Sequence, residues 1–154
     1  MEYYTYNTCD SPFGSIVIIS DGSAVVCVKP ELNVTTDYKK EADKLTDQTA
    51  KQLEEYFSGK RREFTVPLCP PGTTFQRSVW EALKDIPYGE TRSYKQVAQM
   101  IGNPKASRAV GLANSKNPIW ILIPCHRVVG ADGTLTGYAG GLDMKKRLLE
   151  IEKG

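Results

Sequence analysis

The chain of 154 residues is poor in histidine and lacks several patterns that define common protein classes. It has one histidine, and its four cysteines include no C-x-x-C pair, so the ligand spacings of zinc fingers and ribbons are missing. No apolar run approaches the roughly 20 residues that span a bilayer, and the N-terminus lacks the basic start and apolar stretch of a signal peptide. We therefore expect a protein with free thiols and no metal or membrane partner, located in the cytoplasm, or in the nucleus of a eukaryote.

Hydrophobic residues make up 40% of the chain and charged residues 25%, the ordinary balance of a globular protein. The net charge of +2 is unevenly distributed. Residues 1–73 carry 8 Lys and Arg against 11 Asp and Glu, a net −3, whereas residues 74–154 carry 12 against 7, a net +5. The basic second half favours a phosphate backbone as partner, although many basic domains bind no anion. We expect two domains, residues 1–70 and 71–154, divided at a proline-rich stretch.

The first half predicts a small antiparallel sheet followed by a helix. Alternating apolar and polar residues indicate strands at Tyr3–Thr8, Ser15–Ser20 and Ser23–Lys29. An apolar stripe at helical spacing then predicts a helix from about Tyr38 to Phe57, ended by Gly59. This half is therefore a predicted β-meander with one covering helix.

The second half predicts a helix-turn-helix. Thr74 is a candidate N-cap for a first helix that ends before Pro87. Ser93 and Gln96 have capping-box spacing for a second helix, and a Gly-Asn-Pro turn separates it from a third, Lys105–Ser115. Two short helices around such a turn are typical of DNA-binding proteins, but the pattern alone also fits a purely structural helix pair.

The third helix is unusual because most of its residues are small and it offers one long basic side chain, Arg108. A helix that reads bases in the major groove normally presents several Asn, Gln, Arg or Lys side chains. Small residues suit the minor groove, which is only about 6 Å wide, and a single arginine could enter the base stack there.

The stretch WILIPCHRVVG, residues 120–130, places the only histidine directly after a cysteine. The apolar run Ile119–Ile123 predicts a buried strand that Pro124 ends. A thiol becomes a good nucleophile when a base or cation favours its ionised form, and His126 could supply that base for Cys125, directly if the chain bends or otherwise through a water. Simple packing of a buried cysteine is the competing interpretation. The final helix, Leu142–Glu152, ends in two carboxylates, either of which could hold the histidine.

Three segments around this site resemble the O6-alkylguanine-DNA alkyltransferases, also called methylated-DNA-protein-cysteine methyltransferases. They are Ile123-Pro-Cys-His-Arg-Val-Val129, Asn103-Pro-Lys-Ala-Ser-Arg-Ala-Val110 and Gly137-Tyr-Ala-Gly-Gly-Leu142. The resemblance covers essentially all of residues 74–154 and extends more loosely to the first half. It implies an α+β fold, with a small ribonuclease-H-like N-terminal domain followed by a winged-helix-like helix-turn-helix domain.

The resemblance also implies roles for individual residues. Cys125 accepts the alkyl group, His126 is the water-mediated base, Glu152 orients the histidine, and Asn117 supports the active-site turn. Tyr94 helps to rotate the target nucleotide and contacts the base, whose pocket is lined by Val128, Tyr138 and Ala139. Some family members have serine where Ala139 stands, so a side-chain hydroxyl contact is lost here. Arg108 fills the vacated base stack, and further DNA contacts are expected from Ala106, Ser107, Gly111 and Asn114.

The implied reaction is irreversible transfer of one alkyl group from O6-alkylguanine in double-stranded DNA to Cys125, by a monomer that uses no cofactor and acts once. Alkylated thymine is a second candidate substrate. Two other functions remain open. A Cys-His hydrolase would use the same two side chains but turn over repeatedly. A binding module that recognises alkylated guanine without repairing it would lack the acceptor cysteine, which this chain retains.

Overall fold

The computed structural model describes residues 4–30, 41–134 and 141–154. The described residues form two compact units. The first takes the residues up to Pro71 together with Pro118–Trp120, and the second takes Gly72–Asn117 and the residues from Ile121 onward. Within these described ranges, no helix has the length and apolar character needed to cross a bilayer.

The first unit contains the predicted antiparallel meander. Its strands are β1, Thr5–Ser11, β2, Gly14–Ser20, and β3, Val25–Pro30, in the order β1-β2-β3. The central strand β2 pairs with both neighbours, and its residues from Ile16 to Ser20 are all buried. This continuous burial explains why β2 consists largely of β-branched apolar residues.

Helix α1, Lys44–Phe57, packs on this sheet through contacts with β1 and β2. Our prediction placed its start near Tyr38, which was wrong, because residues 41–43 are not helical. The helix begins after Asp43, whose side chain accepts a hydrogen bond from the backbone N–H of Thr46 while the Thr46 hydroxyl accepts one from the Asp43 backbone. This capping box satisfies backbone donors that would otherwise lack partners at the helix start.

The second unit is mainly helical. Helix α2 is Thr74–Leu83, α3 is Tyr94–Met100, α4 is Ser107–Ser115, and α5 is Leu142–Lys153. The N-cap of α2 is Thr73 rather than the predicted Thr74, whereas Ser93 and Gln96 form the expected capping box of α3. Two short parallel strands, β4, Arg92–Ser93, and β5, Val128–Val129, pair beside these helices.

The helix pair α3 and α4 rests on α2, which has contacts with both. Trp80 of α2 is 2% exposed, and its indole N–H donates to the carbonyl of Ala113 near the end of α4 at 2.9 Å. Gly72 covers the same indole so closely that a Cβ there would lie 2.5 Å from the ring. The tryptophan therefore fixes the end of α4 that leads into the active-site segment.

The apolar run Ile119–Ile123 is buried but does not form the predicted strand. Ile119 makes an isolated bridge with Val28 of β3 in the first unit, and the chain then turns at Ile121, whose φ is +74°. A positive φ is rare for a β-branched residue and costs on the order of 1–3 kcal/mol, so the surrounding structure must impose it. The turn redirects the chain immediately before Pro124 and Cys125.

Candidate active site

Cys125, His126 and Arg127 form a short 3-10 helix rather than the end of an extended strand. The turn is closed by the N–H of Arg127, which donates to the carbonyl of Pro124 at 3.0 Å, and by the N–H of Val128, which donates to that of Cys125. Cys125 is 3% exposed and His126 is fully buried. A ligand that reaches the sulfur must therefore displace groups that cover it.

Glu152 on α5 holds the imidazole of His126. Its Oε2 lies 2.6 Å from Nε2 of the histidine, and its side chain is fully buried, whereas the alternative carboxylate Glu150 is exposed. Burial alone would raise the pKa of Glu152, but hydrogen bonds from His126 and Arg127 outweigh that effect and lower it to about 2. Glu152 is thus a carboxylate at neutral pH, and Nε2 of the histidine donates its proton to it.

The second ring nitrogen of His126 is consequently the basic one. Nδ1 is buried and has no hydrogen-bond partner among the residues that the structure describes. Burial lowers the pKa of His126, an effect that the carboxylate of Glu152 opposes and that the positive charges of Arg127 and Lys145 reinforce. The imidazole is therefore neutral near pH 7, with a lone pair available on Nδ1 to take up a proton.

Arg127 completes the buried cluster, and sequence reasoning missed this role. Its Nε and Nη2 donate to the two carboxylate oxygens of Glu152 at 2.8 and 3.1 Å, and its Nη1 donates to the carbonyl of Ile86 at 2.7 Å. The guanidinium also lies 5.8 Å from the centre of the Tyr88 ring. Such a two-pronged contact restrains both position and rotation of the carboxylate. The position of Arg127 directly after His126 was the only available signal.

Two asparagines connect the end of α4 to the active-site turn. Asn117 donates from Nδ2 to the carbonyl of Ile123 at 2.9 Å, consistent in position with the supporting role expected for it. Asn114 was expected on the DNA-facing side, and the structure contradicts that placement. It is 3% exposed and donates to the carbonyl of Cys125 at 3.3 Å. The cause is helical geometry, because Asn114 follows buried Val110 and Ala113 on the inner face of α4.

The remaining predicted DNA contacts lie at the start and on the outer side of α4. Arg108 is exposed, while Ala106, Ser107 and Gly111 are half-buried. The ring of Tyr94, the first residue of α3, lies over Gly111, where an added Cβ would be 3.6 Å from the ring. The aromatic ring therefore lies against the same helix that presents Arg108.

The predicted pocket residues are only partly described. Val128 is fully buried in β5, directly after the active-site turn. Tyr138 and Ala139 lie outside the described residues. Lys145 of α5, which the sequence prediction omitted, is also fully buried and donates from Nζ to the carbonyl of Val128. Lys145 lies three residues before Leu148 and seven before Glu152, so all three share the inward face of the helix. This spacing could have predicted its burial from the sequence.

Fold and site together define a class of protein, an α+β chain whose helix-turn-helix unit holds a cysteine beside a histidine that a buried carboxylate orients. Comparisons with known proteins identify the family. The sequence profile of the 6-O-methylguanine DNA methyltransferase DNA-binding domain matches residues 74–154, and that of the ribonuclease-like domain matches residues 3–70. The chain belongs to this family.

Individual relatives agree over nearly the whole length. The chain is 51% identical over 152 residues to the methylated-DNA--protein-cysteine methyltransferase of Methanosarcina acetivorans, covering 96% of this chain and 97% of that protein. Its structure is similar to the crystal structure of Mycobacterium tuberculosis OGT in complex with DNA, with a TM-score of 0.90 and 47% sequence identity. The match covers 98% of this chain and 92% of that one. These similarities confirm the fold class expected from the sequence.

Proposed function

We propose that this protein repairs DNA by moving a methyl group from O6-methylguanine in a duplex to its own Cys125. The observation that carries the proposal is the arrangement of Cys125 beside His126, whose Nε2 is bound to buried Glu152. The names of its relatives, and a close structural neighbour bound to DNA, support the same activity. We place the reaction in the cytoplasm, since the similar proteins come from archaea and bacteria, and assign it to a monomer.

The chemistry follows from the protonation states. Nδ1 of His126 takes the thiol proton of Cys125, directly or through one water, and the sulfur attacks the methyl carbon in line with its bond to guanine O6. The carbon–sulfur bond forms as the carbon–oxygen bond breaks, and the electron pair of that bond goes to the purine. The sulfur loses one proton and the released guanine gains one on its ring nitrogen, so the overall reaction is balanced in protons. Glu152 stabilises the intervening imidazolium.

The product explains why the reaction occurs once. A thioether carries no reducible bond, so nothing at Cys125 regenerates the thiol. The acceptor is therefore consumed, and the amount of repair equals the amount of protein. Hydrolysis by a Cys-His pair would instead release the enzyme after each cycle.

DNA recognition is assigned to the basic helix-turn-helix unit. A base inside a duplex cannot present its O6 substituent to a buried thiol, so the nucleotide must leave the stack at a cost of a few kcal/mol. We assign the filling of the gap to Arg108, which is exposed on α4, and contact with the rotated base to Tyr94 at the start of α3. A weakly paired, alkylated base leaves the stack more easily than a normal one, which favours damaged sites.

The test measures methyl transfer from a duplex that contains O6-methylguanine. Mass spectrometry should find one added methyl per protein, on Cys125, in wild type and in the control variant Cys69→Ser, which alters an exposed thiol. Cys125→Ser should bind the duplex and remove no methyl. Repeated turnover would indicate a hydrolase, binding without transfer by wild type would indicate a recognition module, and label on another cysteine would refute the assignment of the acceptor.

A further inference from the structure

Leu112, in the middle of α4, is the most exposed of the large apolar side chains that the structure describes, at 62%. An exposed leucine alone carries little information, because much of every protein surface is apolar. The position of this one is informative. It lies four residues after Arg108 and four before Lys116, and residues at this spacing share one side of a helix. The outward side of α4 therefore has a leucine between two cations.

The charged residues around Leu112 all have the same sign. Residues 94–116, which span α3, the turn and α4, contain four cations and no aspartate or glutamate. The cations are Lys95, Lys105, Arg108 and Lys116, and all are exposed. Such a surface attracts the phosphates of DNA. A second copy of the same surface would be repelled, because like charges would face each other. The charge thus favours DNA as the partner that covers the leucine.

The shape of α4 makes Leu112 project beyond its neighbours. Apart from Arg108, the other exposed residues of this helix are the small Ala109 and Ser115. Small side chains allow a helix to approach the floor of the minor groove, which is only about 6 Å wide. Leu112 is the one large apolar side chain among the exposed residues of α4, so in such an approach it meets the base edges before its neighbours do.

We propose that Leu112 is a wedge that enters the minor groove of the damaged duplex and loosens the base stack beside the target nucleotide. The proposal rests on the repair of duplex DNA proposed above and on α4 as the helix that contacts it. Proteins that bind the minor groove often insert apolar side chains, leucine among them, between base pairs and partly unstack them. Arg108 then fills the place of the nucleotide that has left, whereas Leu112 lowers the cost of leaving.

The helix geometry limits where the wedge acts. Four residues of an α-helix span about 6 Å, and successive nucleotides of a strand in a duplex are about 3.4 Å apart. Leu112 therefore contacts the duplex within about two base pairs of the place that Arg108 fills. This predicts a local loss of stacking, which a general attraction to phosphates would not produce.

The first experiment measures stacking directly. The fluorescent base 2-aminopurine, whose emission rises when it unstacks, replaces one base at a time on either side of O6-methylguanine in a duplex. The protein carries Cys125→Ser, so that transfer does not consume the complex. Leu112→Ala is then added, and Met100→Ala is the matched control, since Met100 is also apolar and 42% exposed but lies at the end of α3. We expect the emission rise near the target to fall about twofold in Leu112→Ala and to persist in Leu112→Met and Met100→Ala.

The second experiment measures single-turnover methyl transfer with the acceptor Cys125 intact and protein in excess. Leucine has three carbon atoms more than alanine, each worth up to about a factor of four when buried, so loss of a partly buried wedge should slow transfer from the duplex about tenfold. Transfer from the free modified base should not change, because no stack has to be opened. The dependence of duplex affinity on salt should also stay the same in Leu112→Ala, since a leucine releases no counterions.

Leu112→Ala should fold normally, because the leucine is exposed and alanine is the better helix former, and thermal unfolding checks this. Leu112→Gln, which retains the size but not the apolar character, repeats both experiments independently. Unchanged emission and rate, an equal loss in Met100→Ala, or an equal loss on the free base would overturn the proposal. So would a change in sedimentation without DNA as the only effect, which would make Leu112 a contact between copies.

The same rates separate this inference from the proposed function. If wild type transfers no methyl from the duplex, the proposed function fails. If it does so, and Leu112→Ala transfers the methyl at the same rate, only the role of the wedge fails.

Discussion

Replacing Glu152 with glutamine should destabilise the protein strongly, because this carboxylate is the centre of a buried charge cluster. Its two oxygens accept hydrogen bonds from His126 and from two nitrogens of Arg127, and Oε1 also accepts the backbone N–H of Gly89 at 3.2 Å. Glutamine has nearly the same shape, but its amide group would face donors. Arg127, with a side chain that is 8% exposed, would remain charged without its counterion.

Two separate estimates give the magnitude. Removing one partner of a buried ion pair typically costs about 3 to 5 kcal/mol. The pKa of Glu152, lowered from 4.5 to about 2, corresponds through linkage to about 3 kcal/mol of stability at neutral pH. For a chain of this length each kcal/mol shifts Tm by about 3 °C, so Glu152→Gln should lower Tm by about 10 °C.

The pH dependence has a definite sign. Because the carboxyl pKa is lower in the folded protein than in the unfolded chain, its stabilisation is fully present above the unfolded value of 4.5 and is lost as pH falls towards about 2. Wild type should therefore lose stability through this acid range more steeply than Glu152→Gln does. The difference between the two proteins should shrink by about 3 kcal/mol between neutral pH and pH 2.

The assay is urea unfolding at a series of pH values, together with thermal unfolding. Glu150→Gln is the control, since it removes an exposed carboxylate from the same helix and should change stability by less than about 0.5 kcal/mol. Adding Arg127→Met to Glu152→Gln should recover part of the loss, because no buried charge is then left without a partner. Equal unfolding free energies for Glu152→Gln and Glu150→Gln would refute the cluster's role.

Two further predictions concern the DNA-facing helix. Arg108→Ala should slow methyl transfer from duplex DNA far more than from the free modified base, since only the duplex requires the vacated stack to be filled, and an equal loss on both substrates would contradict this role. Asn114→Leu should leave the affinity for undamaged duplex DNA unchanged, because Asn114 is buried, and Ser115→Ala is the control. A clear loss of DNA affinity in Asn114→Leu, measured by fluorescence anisotropy, would show that Asn114 does belong to the DNA interface.

Local patterns predicted the elements well where a side chain determines the backbone beside it. The capping box of Ser93 and Gln96 lies within four consecutive residues, and the structure contains it as expected. The start of α1 was misplaced because the apolar spacing continues upstream of Asp43, while the cap at that residue decides where the helix begins. The prediction of a strand at Ile119–Ile123 was wrong because the chain turns at Ile121, which has a positive φ. Tertiary contacts impose that turn, and the strand propensity of isoleucine does not reveal it.

The site was predictable only as far as the resemblance named its members. Adjacent Cys125 and His126 stand out in the sequence. The sequence near them does not indicate that the carboxylate bound to the imidazole is Glu152, which lies 26 residues further along the chain. The role of Arg127 and the burial of Lys145 depend on how α5 packs against the active-site turn. For Asn114 the resemblance itself led to a wrong prediction. This polar residue lies on the helix that we expected to contact DNA, but its side chain faces inward and donates to the carbonyl of Cys125.

The burial of Cys125 has a consequence for how long an idle molecule stays usable. A single-use acceptor is wasted by any stray electrophile or oxidant that reaches it first, and only 3% of this residue meets solvent. Of the other thiols, Cys9 is also buried, with a pKa that burial raises to about 11, so the exposed Cys69 is the one that meets small reactive compounds most readily. Burial of the sulfur thus preserves the repair capacity of a molecule that has not yet met its substrate.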